Sequence, residues 1–220
     1  MFIGHYGVAF AAKRATPGAS LGALTFAAQF LDELWPILLL LGVEHVRIVP
    51  GLMAANPLDF TYYPFSHSLV MAIVWGGLVG GICYLRGHRG RAAFVMAMLV
   101  VSHWFLDLVM HRPDLPLWPG PSSPKFGWGL WNSVAGSYAI EFAIYGIGIW
   151  LYVSGTRALD KIGSWGLWTY IIVLAAIFVA SNGPPPPSEH VLAWTALAIW
   201  LFVPWAWWVD KHRAPIAQVI

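Results

Sequence analysis

The sequence predicts an all-α membrane protein: a helical bundle of about six transmembrane helices with a short N-terminal half-helix. Of its 220 residues, 59% are hydrophobic and only 10% are charged, whereas a soluble domain carries about 25% charged residues. The mean hydropathy is +0.66, and the apolar residues fall into long runs. We therefore expect a single transmembrane domain over residues 1–220, with the lipid bilayer as its main partner.

Charge and cysteine content narrow the class further. The formal net charge is only +2 and no basic tract stands out, so the chain lacks the positive patch that nucleic-acid binding requires. The single cysteine, Cys83, lies in an apolar run. It permits no intrachain disulfide, and we expect it to be a small buried apolar residue.

Six apolar runs approach the ~20 residues that a helix needs to cross the hydrocarbon core. They are residues 21–43, 67–86, 92–111, 135–153, 164–181 and 190–209. Residues 1–12 are apolar but too short to span. Two interpretations of that segment stay open: a half-helix that dips into the membrane, or a helix that lies flat at its surface.

The basic residues are distributed unevenly between the two alternating sets of loops. Nine of the twelve fall in one set: Lys13, Arg14, Arg86, Arg89, Arg91, Arg157, Lys161, Lys211 and Arg213. The other set holds Arg47, Arg112 and Lys125. Because basic loops stay in the cytoplasm, we expect both termini there and the loops at about 44–66, 112–134 and 182–189 outside.

A polar strip interrupts the third run, VSHWFLDLVMHR, in which His103, Asp107 and His111 recur every four residues. On an α-helix all three would share one face. Positions i and i+4 can share a metal ion, whereas i and i+8 lie ~12 Å apart along the axis. The strip therefore predicts two or more ions with Asp107 as a bridge.

Other runs bring ionisable residues to the depth of this strip. Asp32, His67 and Glu141 should lie in the outer half of the membrane, and a half-helix would add His5. Such residues are costly in a membrane, so their convergence indicates function. Glu33 points ~100° away from Asp32 on the helix, so Asp32 is the favoured member of that pair.

Imidazoles and carboxylates together are typical ligands of zinc and similar divalent ions. The predicted metal ligands are His5, Asp32, His67, His103, Asp107, His111 and Glu141. Asp107, Glu141 and Asp32 are also the candidate catalytic carboxylates. By contrast, Glu44, Glu189, His45, His88, His190 and His212 lie in predicted loops or at helix ends, where we expect them at the surface.

Several residues near the strip leave alternatives open. Arg112 is either a phosphate ligand or an interfacial arginine whose guanidinium reaches the headgroups. The residues that flank His67 either orient ligands or are interfacial aromatics and a helix start; they are Tyr62, Tyr63, Ser66 and Ser68. The segment 113–133, rich in Pro, Gly and Trp, is either a lid over a lipid-like substrate or a plain interfacial loop.

Five segments resemble a bacterial family of inner-membrane proteins that is similar to the LexA-regulated, membrane-bound metal-dependent hydrolases. They are GHYGVAFAAKRA, AAQFLDELWP, YYPFSHSLV, SHWFLDLVMHRPDLPLWPG and GLWNSVAGSYAIE. Those hydrolases are in turn similar to zinc-dependent phospholipase C. The resemblance implies an inner-membrane location and a ligand order of His5, Asp32, His67, His103 with Asp107, His111 and Glu141. The soluble enzymes end this order with a His-x3-Glu pair. Here Ser137 precedes Glu141, which favours one or two metals over three.

These observations predict a metal-dependent hydrolase that acts on a phosphoester of a lipid or lipid-linked substrate at the outer leaflet. A bound metal would activate water and polarise the phosphoryl oxygen. One alternative is a transporter or proton pathway, because intramembrane His, Asp and Glu also form ion relays. Another is a non-catalytic subunit that binds haem or metal.

Overall fold

The computed structural model describes residues 1–88 and 90–216, and most of them are helical. The helices are α1 Ile3–Ala15, α2 Leu21–Leu40, α3 Pro64–His67, α4 Leu69–Leu85, α5 Arg91–Met110, α6 Val134–Gly155, α7 Leu167–Ser181, α8 Glu189–Ala196 and α9 Phe202–Lys211. A π-helical segment, Ile162–Gly166, leads into α7, and a 3-10 segment, Leu197–Leu201, joins α8 to α9. Arg89 of the predicted cytoplasmic set and residues 217–220 of the predicted domain lie outside the described residues.

Among residues 1–88 and 90–216, five helical segments are long and apolar enough to cross a membrane: Leu21–Leu40, Arg91–Met110, Val134–Gly155, Ile162–Ser181 and Glu189–Lys211. Large apolar side chains such as Ile73, Ile147 and Ile172 are exposed on the outward faces of the bundle, as lipid contact requires. The predicted, mostly helical fold is confirmed, and these apolar helices agree with the predicted membrane protein. The remaining predicted span, residues 67–86, corresponds to a shorter helix. Helix α4 has 17 residues, or about 26 Å at ~1.5 Å per residue, against a hydrocarbon core of ~30 Å.

Helix α4 is shorter than predicted because the chain leaves helical geometry at Ser68. The sequence predicts one run from residue 67, but Ser68 leaves helical geometry with ψ 149°. Its hydroxyl accepts the N–H of Met71 at 3.3 Å, which makes it the N-cap of α4. His67 therefore belongs to the separate short helix α3 and not to α4.

The part of the chain that the structure describes also contains three short antiparallel strand pairs, which the all-α prediction lacks. They join β1 His45–Ile48 to β2 Leu58–Tyr62, β3 Leu115–Pro116 to β4 Lys125–Phe126, and β5 Thr156–Ala158 to β6 Arg213–Pro215. Backbone groups that leave a helix need other hydrogen-bond partners, and short strand pairs supply them here. Apolar periodicity carries no signal for pairs this short.

Helix α1 packs inside the bundle; whether it dips into the membrane as a half-helix stays a prediction. Ile3 and Phe10 are at most 1% exposed, and α1 lies directly against α6. The closest approach joins Gly7 and Gly148, where a Cβ built on Gly148 would lie 2.0 Å from the Gly7 carbonyl oxygen. Glycine is required there because no side chain fits between the two backbones.

Lys13 anchors the other end of α1. Its ammonium lies 2.6 Å from Asp210 Oδ2, which also accepts the N–H of Leu21 at 3.0 Å. The Tyr152 hydroxyl donates to Asp210 Oδ1 at 2.7 Å. Four helices, α1, α2, α6 and α9, are thereby tied together at the end of α1 that lies away from His5.

Gly148→Ala should destabilise the protein by forcing α1 away from α6. Overpacking of this kind costs about 1–3 kcal/mol, which a thermal unfolding curve in detergent would detect. Gly146→Ala is the matched control, since a Cβ there meets nothing within 4 Å. Equal stability of the two variants would contradict the close packing of α1.

Candidate metal centre

Two carboxylates and two imidazoles from three helices lie close together, with one oxygen of each carboxylate near both Nε2 atoms. Asp32 comes from α2, His67 from α3, and His103 and Asp107 from one face of α5. Asp32 Oδ1 lies 3.4 Å from His67 Nε2 and 3.6 Å from His103 Nε2. Asp107 Oδ2 lies 3.7 Å from His67 Nε2 and 3.3 Å from His103 Nε2. We call these four residues the metal centre.

These separations fit ligands around an ion better than they fit hydrogen bonds. An N–H···O bond joins heavy atoms at about 2.7–3.2 Å, and all four contacts are longer. A tetrahedral zinc ion with bonds near 2.0–2.1 Å holds its ligand atoms about 3.3–3.4 Å apart. Asp32, His67 and His103 form one group that could hold a metal ion, and Asp107 lies beside it.

The hydrogen bond at Nδ1 of His103 leaves its Nε2 free to bind a metal ion. His103 Nδ1 lies 2.8 Å from the carbonyl oxygen of Ala28. Because a carbonyl can only accept, Nδ1 must carry the proton. Within the described part of the chain, His103 Nε2 has no hydrogen-bond partner and is fully buried. An orphaned lone pair aimed at two carboxylates is the arrangement expected of a metal ligand.

His5 reaches the same point from α1. Its ring stacks on that of His103 with centroids 3.6 Å apart, and its Nε2 lies 3.1 Å from Asp107 Oδ1. The Met1 amino group also contacts Asp107 Oδ1, at 2.5 Å. His5, His103 and Asp107 form a second group that could hold an ion. Both groups share His103, which can offer only one lone pair, so His103 can serve an ion in one group at a time. The predicted arrangement of two or more ions bridged by Asp107 stays a prediction.

His111 lies close to the metal centre by a route that the helix pattern does not predict. Helix α5 ends at Met110, and His111 is extended with ψ 146°. Its ring therefore turns back, and Nε2 lies 3.9 Å from Asp107 Oδ2 instead of one turn further along a helix face. Its Nδ1 lies 2.9 Å from Asp114 Oδ1.

Asp114 is a residue that the sequence reasoning missed. It is 4% exposed and accepts a hydrogen bond from the Tyr63 hydroxyl at 3.0 Å. Burial and the Asp114 charge raise the pKa of Tyr63, which keeps that hydroxyl a donor. Arg112 forms ion pairs with both Asp59 and Asp114. Its guanidinium, considered above as a phosphate ligand, therefore already binds two carboxylates.

Glu141 supports α1 from the neighbouring helix α6. Its Oε1 accepts the N–H of Phe2 at 2.8 Å, and its Oε2 accepts the N–H of Gly4 at 2.7 Å. Phe2, at the N-cap position, makes no capping bond of its own. Glu141 thus satisfies two of the N–H groups at the start of α1, the helix that carries His5. Its roles as metal ligand and catalytic carboxylate stay predictions.

Glu33 turns away from the metal centre, although it follows Asp32 directly. Glu33 is 1% exposed and Gln29, one turn earlier on α2, is fully buried. Among the described residues, neither Glu33 oxygen nor either polar atom of the Gln29 amide has a hydrogen-bond partner. These two side chains form a separate buried polar region beside the metal centre.

The segment 113–133 packs over His111. The ring centroids of Trp131 and His111 lie 4.3 Å apart, and the N–H groups of Trp128 and Gly129 donate to the carbonyls of Leu108 and His111. Trp128 is 74% exposed. The segment is therefore anchored to the end of α5 while it presents an aromatic side chain outward.

Comparisons with protein-family models, with curated proteins and with solved structures find no match for this chain.

Proposed function

We propose that this protein is a membrane-embedded, zinc-type metal-dependent hydrolase that cleaves a phosphoester of a lipid or lipid-linked substrate. The observation that carries the proposal is the convergence of His67 Nε2, His103 Nε2, Asp32 Oδ1 and Asp107 Oδ2 at 3.3–3.7 Å. A site of two imidazoles and two carboxylates suits zinc. The resemblance to membrane-bound metal-dependent hydrolases agrees with this chemistry.

Access to the metal centre supports a reaction there. The Asp32 side chain is 22% exposed, whereas those of His67, His103 and Asp107 are at most 4% exposed. Substrate and water would therefore enter beside Asp32. Asp32 is the carboxylate placed to orient an entering water, because both oxygens of Glu141 already accept backbone N–H groups.

A divalent ion held here would supply an activated water and polarise a phosphoryl oxygen. The chain's own residues would do the rest. Asp107 would hold one carboxylate oxygen toward His67 and His103 while its other oxygen faces His5. The apolar helices around the centre would exclude bulk water, which strengthens each electrostatic contact.

The second candidate is a transporter or proton pathway. The observation that favours it is the buried pair Gln29 and Glu33, whose polar atoms lack partners in the described part of the chain. Buried carboxylates and amides of this kind also line ion routes through membranes. This candidate predicts ion flux through the protein and no bond cleavage.

Phosphate release from phospholipid vesicles separates the two candidates. We expect the Zn²⁺-loaded protein to hydrolyse a lipid phosphoester, the chelator-treated protein to lose that activity, and Asp32→Asn to reduce it at least about 10²-fold, as loss of an activating group does. Cation or proton flux into proteoliposomes, without hydrolysis by the metal-loaded protein, would replace the hydrolase proposal with the transporter.

We further propose a bacterial inner-membrane location, with both termini cytoplasmic and the metal centre toward the outer leaflet. In a Cys83→Ser background, a membrane-impermeant thiol reagent applied from outside should label Ser122→Cys and spare His88→Cys. Both positions are exposed, so burial would not mask either result. The reverse labelling pattern would place the centre toward the cytoplasm.

A further inference from the structure

Glu44 is buried although its sequence position predicts the surface. It lies in the loop after α2, next to His45, yet it is only 1% exposed. Its Oε1 accepts the N–H groups of Phe65 and Ser66, each at 2.8 Å. Its Oε2 accepts the Ser66 hydroxyl at 2.6 Å. Burial raises the pKa of Glu44, and these three donors oppose that shift.

The Ser66 hydroxyl connects Glu44 to the metal centre. Ser66 Oγ lies 2.7 Å from His67 Nδ1. A hydroxyl has one proton to give, and Glu44 takes it, so Ser66 accepts from His67 Nδ1–H. The proton of the ring is then on Nδ1, and the lone pair of His67 Nε2 faces Asp32 and Asp107.

We propose that Glu44 and Ser66 are positioning residues that act through a carboxylate–hydroxyl–imidazole relay to prepare His67 as a metal ligand. The inference rests on the proposed metal centre and names what orients one of its ligands. Glu44 accepts two N–H groups of the short helix α3 and fixes the direction of the Ser66 proton. It thereby makes the Ser66 oxygen a stronger acceptor for His67 Nδ1–H. His103 and His111 reach the same tautomer through simpler partners, Ala28 and Asp114.

Ser66→Ala and Glu44→Gln break the relay at different points. Ser66→Ala removes the acceptor for His67 Nδ1–H and leaves the backbone N–H groups of residues 65 and 66 free to bind Glu44. Glu44→Gln keeps the shape, but its amide group donates to Ser66, which frees the hydroxyl proton to turn toward His67 Nδ1. Each change should weaken Zn²⁺ binding about 10–100-fold, as loss of a ligand-orienting partner does.

The decisive test is the double variant, with Zn²⁺ affinity measured by competition against a chromophoric chelator. If Glu44 acts through Ser66, Glu44→Gln should add nothing to the loss already caused by Ser66→Ala. Thermal unfolding serves as a fold check. The matched control is Glu189→Gln, an exposed acid that lines the same surface cleft as Glu44 and should bind Zn²⁺ as the unaltered protein does.

The outcomes separate the relay from the proposed function. Wild-type affinity in the Ser66→Ala variant would overturn the relay and leave the metal centre standing, even if Glu44→Gln failed to fold. Additive losses would overturn it as well, since Glu44 would then act on α3 alone. If the unaltered protein binds no Zn²⁺, the metal centre fails and the relay falls with it.

Discussion

Asp107→Asn should lose metal more completely than any other single carboxylate change. Asp107 Oδ2 lies within 3.7 Å of both His67 Nε2 and His103 Nε2, and Oδ1 contacts His5 and the Met1 amino group. Asparagine keeps the shape and removes the charge. We expect Zn²⁺ affinity to fall by more than the 10–100-fold that outer partners contribute, and by more than His111→Ala causes, because His111 Nε2 lies further out at 3.9 Å.

Glu33→Gln is the matched control for Asp107→Asn. Glu33 is as deeply buried as Asp107 but belongs to neither group of residues that could hold an ion. Metal affinity measured by chelator competition should survive in Glu33→Gln and fall in Asp107→Asn. If Asp107→Asn keeps full affinity, the polar strip of α5 is a packing seam and the hydrolase proposal loses its support.

His103→Ala should remove metal and create a cavity at the same time. The ring belongs to both groups that could hold an ion, it is fully buried, and it stacks on His5 at 3.6 Å. Two separate losses follow: one ligand of the ion, and a core side chain whose truncation costs about 2–5 kcal/mol. Because the second loss would occur without any metal, stability alone cannot test the ligand role.

Imidazole rescue isolates the ligand role of His103. Millimolar imidazole should enter the cavity in His103→Ala and restore part of the Zn²⁺ affinity. A chelator should lower the unfolding temperature of the unaltered protein, since an ion present at 100 times its Kd stabilises by about 2.7 kcal/mol, and should not affect His103→Ala. His45→Ala, at an exposed histidine, is the control. A chelator effect of equal size in His103→Ala would exclude His103 as a ligand.

The helices were predictable because each rests on a local pattern of sufficient length. Apolar runs placed α2, α5, α6 and the two segments that end at Ser181 and Lys211 within a few residues of their observed bounds. Four-residue spacing also placed His103 and Asp107 on one face of α5. The break at Ser68 escaped prediction because one serine decides it, against an apolar run that continues on both sides.

The missed site residues owe their roles to contacts between distant parts of the chain. Glu44 and Asp114 stand in polar loop sequences, beside His45 and Pro113, and local composition therefore predicts exposure. Glu44 is buried because α3 presents free N–H groups to it, and Asp114 because Tyr63 and His111 meet it. The position of His111 depends on where α5 ends, so helix periodicity placed it about one turn too far out.

The most direct test of the metal centre is elemental analysis of the unaltered protein, purified without chelator and dialysed after addition of Zn²⁺. Asp32 Oδ1 and Asp107 Oδ2 each lie 3.3–3.7 Å from the Nε2 atoms of His67 and His103, and the proton of His103 is held on Nδ1. This arrangement predicts one tightly held zinc ion per chain. X-ray absorption should show nitrogen and oxygen ligands at about 2.0–2.2 Å. Zinc at trace levels, no higher than in Asp107→Asn prepared in parallel, would contradict the existence of the metal centre.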